Sequence, residues 1–107
     1  MSKNSMKILE ELNKFLLKLA NILKNESEKN WIRAINEMIK ITEDALVNSH
    51  DPDEAVNYVR RMYKLINSGN GSFSDFHIWR DNFVDRKKQN EQLNEINNSI
   101  LKLLNSE

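Results

Sequence analysis

Asn67-Ser68-Gly69-Asn70-Gly71-Ser72-Phe73-Ser74-Asp75-Phe76-His77-Ile78-Trp79 is the stretch on which the fold turns. Both glycines of the chain lie in it, with one of the two histidines. A glycine loop that cradles phosphate follows a strand and closes on Gly-Lys-Ser/Thr, which would make the chain α/β. Here the loop follows a helical pattern and closes on Gly71-Ser72-Phe73. Gly69 is placed to take the left-handed position that ends a helix, and Gly71 to permit a tight turn. Ser72-Phe73-Ser74-Asp75 has the spacing of a capping box, or Asp75 folds back on the amides of the turn. In either case Phe73 reads as an anchor into the core. The stretch is thus a break between helices, and the fold is all-α.

Upstream, Ala55, Val56, Val59, Met62, Tyr63 and Ile66 recur at helical spacing and form one inward face. Asp51-Pro52-Asp53-Glu54 opens that helix, with Asp at the N-cap, Pro at the first helical position and Glu at the third. Before it, Trp31, Ile35, Met38, Thr42 and Leu46 form a stripe flanked by Ile32, Ile39 and Ala45, with Ser27 as a candidate N-cap. The first helix carries Ile8, Leu12, Phe15, Leu19 and Ile22, with Leu9, Leu16 and Leu23 beside them. Lys7, Glu11, Lys14 and Lys18 occupy its wet side. Downstream, Leu93, Ile96, Ile100 and Leu103 form the stripe of a last helix. Traced backwards the row runs Asn90, Arg86, Phe83, Trp79, Phe76, so its middle is polar and residues 86–92 read as exposed. Helices are expected at about 5–24, 28–47, 52–67 and 81–104, packed as a four-helix up-down bundle in a single domain spanning residues 1–107.

The composition narrows the function. Sixteen basic residues balance sixteen acidic ones among 107, so the net basic excess of a nucleic-acid-binding domain is missing. Local clusters, at Arg60, Arg61 and Lys64 and at Arg86, Lys87 and Lys88, read as solvated helix faces. Without cysteine there is no disulfide, thiolate zinc site or cysteine nucleophile, which fits a cytoplasmic protein. Lys18 and Asn21 interrupt the apolar run of the first helix, so it reads as neither a signal peptide nor a membrane span. No cofactor motif is present.

Two groups of residues stand out as candidate binding surfaces. Asp75, His77, Trp79 and Arg80 follow the glycine turn, and Trp and Arg are the types most enriched in binding hot spots. Glu43, Asp44, Asp51, Asp53 and Glu54 form an acidic run suited to cover a basic site. A general-base role for His77, with Asp75 or Asp81, lacks a second catalytic group, and no metal-binding pattern surrounds it. The reading is therefore of a protein that is not an enzyme.

Ser68-Gly69-Asn70-Gly71-Ser72-Phe73-Ser74-Asp75-Phe76 resembles a segment of a family of small uncharacterised bacterial proteins, which typically reads Gly-Gly-Met-Gly-Ser-Phe-Asn-Asp-Leu. That family also tends to carry a Trp near the start of its second helix, as Trp31 stands here. The resemblance extends over about residues 28–104, its specific core being Gly71-Ser72-Phe73-x-Asp75, and this chain departs from it at Asn70 and Ser74. It implies a bacterial source and a helical fold and supplies no activity; small proteins of this kind often look like immunity proteins. The expected function is a binding protein that neutralises a bacterial toxin by occluding its active site. The partner is then a protein, with neither nucleic acid nor membrane involved. The alternatives are a structural or regulatory helical module, which as a homodimer would pack through the stripe at residues 93–104, and, ranked below it, a small hydrolase using His77.

Overall fold

A computed structural model describes residues 2–26, 31–48, 51–68, 76 and 78–105, the side chains of residues 2–4 apart. The chain forms four helices: α1 (Ser2–Asn25), α2 (Ile32–Asn48), α3 (Pro52–Ile66) and α4 (Phe83–Leu104). They pack as an all-α four-helix bundle. α1 touches all three of the others, α2 packs on α3, and α3 meets α4 only slightly.

The core explains why α1 is central. Leu9, Leu12, Leu16, Leu19 and Leu23 alternate at spacings of three and four, the period that keeps one seam facing a partner helix, and all are fully buried. Ile8, Phe15 and Ile22, expected on the main stripe, are only partly buried and pack on its flank. On α2 the buried row is Ile35, Met38, Thr42 and Ala45, with Ile39 beside it. On α3 it is Ala55, Val56, Val59, Tyr63 and Ile66, as the spacing predicts, while Met62, expected with them, is only partly buried. Burial of leucine rows of this kind stabilises by roughly 1.5–3 kcal/mol per side chain and is the main force holding the bundle together.

Polar bonds fix the register between the helices. Thr42, fully buried on α2, donates to Ile39 O (2.9 Å) and accepts from Asn13 Nδ2 of α1 (3.0 Å). Ser5 of α1 donates to Asp53 at the start of α3. Tyr63 Oη of α3 donates to Asn97 Oδ1 of α4, and burial holds the phenol well above its usual range. Arg60 Nε donates to the carbonyl of Leu104 (2.7 Å), covering an orphan acceptor at the end of α4. No buried side-chain polar atom among the described residues lacks a partner.

These bonds also give the directions. The starts of α1 and α3 lie together through Ser5 and Asp53, and the end of α4 returns beside α3, so the helices run up, down, up and down. Asp51 caps α3 as the sequence predicts, its Oδ1 accepting from Asp53 N at 3.0 Å and Glu54 N at 3.4 Å. α3 ends at Ile66 with Asn67 as its C-cap. The Asn67 side chain donates to Tyr63 O and the Ser68 hydroxyl to Lys64 O, each at 2.8 Å. Gly69, Gly71, Phe73 and Ser27 lie outside the described residues.

α4 starts later than expected, at Phe83. Asn82 is its N-cap, with Oδ1 accepting from Asp85 N at 3.0 Å. Its first buried residue is Leu93, followed by Ile100 and Leu104. No side chain from residue 83 to residue 92 is buried, so the opening turns of α4 stand outside the core, as the polar middle of the row predicts. No helix among the described residues is long and apolar enough to cross a membrane.

Candidate binding surface at the start of the last helix

Residues 78–82 form a strap laid against the opening turns of α4. Such a segment has backbone groups with no ladder to join, and each must find a partner. Asn90 supplies two. Its Oδ1 accepts from Ile78 N (2.8 Å) and its Nδ2 donates to Ile78 O (2.9 Å), so one amide side chain acts as a strand partner would. The same Nδ2 also donates to Arg86 O, one turn earlier on its own helix (2.9 Å). Ile78 is thereby pinned with its side chain in the core.

The adjacent residue is tied at a second point. Arg80 forms a fork-to-fork pair with Glu26 at the end of α1, with Nη1 donating to Oε1 at 2.8 Å and Nη2 to Oε2. Its Nε lies 3.5 Å from Asp85 Oδ2. Glu26 is the better covered partner, its side chain 16% exposed against 33% for Arg80. The hydrogen bond from Arg80, aided by its charge, holds the Glu26 carboxyl below the usual range against the opposing effect of burial. The Glu26–Arg80 pair thus joins the strap to α1, while Asn90 joins it to α4.

Pinned on both sides, the strap sends Trp79 outward. Trp79 is 69% exposed, Phe83 65% and Val84 73%. Arg86 reaches over both aromatic rings, its guanidinium carbon 4.4 Å from the Trp79 ring centre and 5.4 Å from that of Phe83. Such cation–π stacking is worth roughly 0.5–1 kcal/mol at an exposed site and fixes the rings as well as the cation. Ile78, Trp79, Phe83, Arg86, Lys87 and Asn90 line an open groove of about 530 Å³. Phe83, Arg86, Lys87 and Asn90 fall at i, i+3, i+4 and i+7, so they present one face of α4.

The residues singled out in the sequence separate into two ends. Trp79 and Arg80 belong to the strap, whereas Asp75 and His77 lie outside the described residues. Asp81, the other acid considered beside His77, is exposed at the bend before α4. Glu43, Asp44, Asp51, Asp53 and Glu54 are exposed around the α2–α3 junction. Ser5 marks that end of α1 and Glu26 the other, roughly 30 Å apart at 1.5 Å per residue. Several of these acids have structural work: Asp44 accepts from Asn48, Asp51 caps α3, and Asp53 takes the Ser5 hydroxyl. Among the described residues no group of three or more His, Asp or Glu side chains is placed to hold a metal.

Phe83, Val84, Asn90 and the stacking role of Arg86 are the part of the surface that sequence reading missed. Phe83 carried a signal, since it stands on the Phe76–Trp79–Phe83 row ahead of a polar stretch. Asn90 carried none. Of the stripe at residues 93–104 considered for dimerisation, Leu93 and Ile100 are core residues, while Ile96 and Leu103 are partly buried against that core. Comparison with family models, with curated proteins and with solved structures gave no match.

Proposed function

We propose that this chain is a binding protein that takes hold of a protein partner through Trp79, Phe83, Val84 and Arg86. The observation that carries the reading is the concentration of exposed Trp, Phe and Val side chains at one place, beside a core that buries its leucines completely. Contiguous apolar surface of this kind marks interaction sites. Trp and Arg are the usual hot-spot residues, because they combine large contact area with directed polar contacts. The Asn90 and Glu26 ties hold the surface in one conformation before the partner arrives, which lowers the ordering cost of association.

The finer reading is that capture neutralises the partner. The likeness of Gly71-Ser72-Phe73-Ser74-Asp75 to small bacterial proteins of the immunity kind supports a toxin as that partner, held one to one with its working surface covered. The test is affinity capture from the source cells with the wild-type chain and with the double variant Trp79→Ala/Phe83→Ala. A stoichiometric partner retained by the wild type and lost by the variant is the expected result. A partner retained equally by both would remove this surface from the function.

A further inference from the structure

We infer that the groove at the start of α4 takes an acidic, apolar-anchored segment of a protein: a stretch with a large apolar side chain flanked by aspartate or glutamate. The inference rests on the binding role proposed above and names the chemistry of the partner.

The argument is from charge and shape. The groove is lined by two aromatic rings and Ile78, which suit an apolar anchor, and, among the described residues, by Arg86 and Lys87 as its only charged side chains. Among the described residues, Asp85 lies beside Arg80, and Asp81 and Glu91 do not line the groove. Arg80 is the cation of this region whose charge is already matched, by Glu26 and Asp85. Arg86 is different. Its contacts among the described residues are two aromatic faces and a 3.4 Å bond to Arg80 O, and no carboxylate faces it there. A half-buried guanidinium lying on aromatic rings presents its remaining N–H groups in a plane, the geometry that accepts a carboxylate with two parallel bonds. Partial desolvation by the rings strengthens such a pair relative to one in open water. Lys87, exposed one position further on, adds a second positive charge on the same face. A basic or neutral segment would leave Arg86 covered and unpaired, which is costly. The groove therefore selects for acid next to an apolar anchor.

The experiment is selection from a displayed library of random peptides on the full chain, with parallel selection on Trp79→Ala/Phe83→Ala to identify binders that depend on the groove. The expected result is that groove-dependent peptides are rich in Asp and Glu beside aromatic or long aliphatic residues. A synthetic copy of the strongest binder should lose affinity about thirtyfold with Arg86→Glu. It should lose less, but measurably, with Lys87→Glu, a variant at an exposed position that leaves the ring stack intact. The peptide with its acids changed to amides should fall in parallel, and raised salt should weaken the native pair. Groove-dependent peptides without an acidic excess would overturn the proposed chemistry while leaving the binding role standing. Peptides indifferent to Trp79→Ala/Phe83→Ala would remove both. Tighter binding of oligothymidylate than of any peptide, lost with Phe83→Ala, would overturn the inference in favour of nucleic acid. A concentration-dependent doubling of mass, lost with the same variant, would overturn it in favour of a second copy of the chain.

Discussion

The two ends of the bundle are built from similar polar residues but are finished differently. At the α2–α3 junction, Asp51 caps α3 and Asp53 takes a hydroxyl from α1, so the carboxylates are spent on closing the structure. At the other end, Asn90 and Arg80 also make structural bonds, yet what they hold in place is an exposed cluster of Trp79, Phe83 and Val84. The first end uses polar groups to finish a helix. The second uses them to keep apolar groups in water, which costs solvation free energy and gains nothing for the fold alone. The difference is what supports the proposed binding surface at the second end.

The largest expected effect lies between the two ends. Leu16→Ala in the buried α1 row should cost about 3 kcal/mol and lower the melting temperature by more than about 10 °C, because the surrounding helices cannot fully collapse on the cavity. Trp79→Ala/Phe83→Ala should instead cost only about 1 kcal/mol, through loss of the Arg86 stack, and weaken partner binding by about thirtyfold or more. If the double variant is as unstable as Leu16→Ala, the two aromatics are core residues and the comparison fails. Asn90→Ala should cost about 1–2 kcal/mol by leaving the Ile78 backbone groups unpaired. Its signature is local: hydrogen exchange should rise at Ile78 and its neighbours while the α1 amides stay protected. Asp51→Ala should cost about 1 kcal/mol through loss of the α3 cap and should not alter partner binding, which separates a structural acid from a functional one.

The smallest effect is a pH dependence confined to the open end. Arg80 holds the Glu26 carboxyl below its ordinary value of 4.5. Its contribution is therefore complete above that value and is lost as pH falls through the lowered one, with no change near neutrality. Acid titration followed by hydrogen exchange in the strap should show it opening before the leucine core, and Glu26→Gln should weaken that acid step.

The fold was legible where local chemistry and packing agree. Apolar spacing of three and four residues placed the buried faces of α2 and α3, while on α1 the buried row is centred on Leu9, Leu16 and Leu23 rather than on Ile8, Phe15 and Ile22; Asp51-Pro52 placed a helix start by the chemistry of its cap. The start of α4 was read two residues early, at about residue 81, because apolar spacing does not mark the cap that Asn82 supplies. Residues 78–82 are not helical, so the helical period does not apply to them, and Ile78 rather than Trp79 turns into the core. Trp79 and Arg80 were recognised as candidates by residue type. The role of Asn90 was illegible, since a polar residue on a helix with exposed neighbours reads as solvated until the strap is seen beside it. The acidic run looked like a surface in sequence, and its cap and hydroxyl bonds become visible only when the helices are assembled.

The most direct test of the open-end account compares the two ends in one experiment. A photo-crosslinking residue is placed at position 79, and in a second version at the exposed position 54, with each chain expressed in the source cells. The account predicts a discrete protein adduct from position 79 and none from position 54. An adduct from position 54 alone would contradict it and move the binding surface to the acidic end.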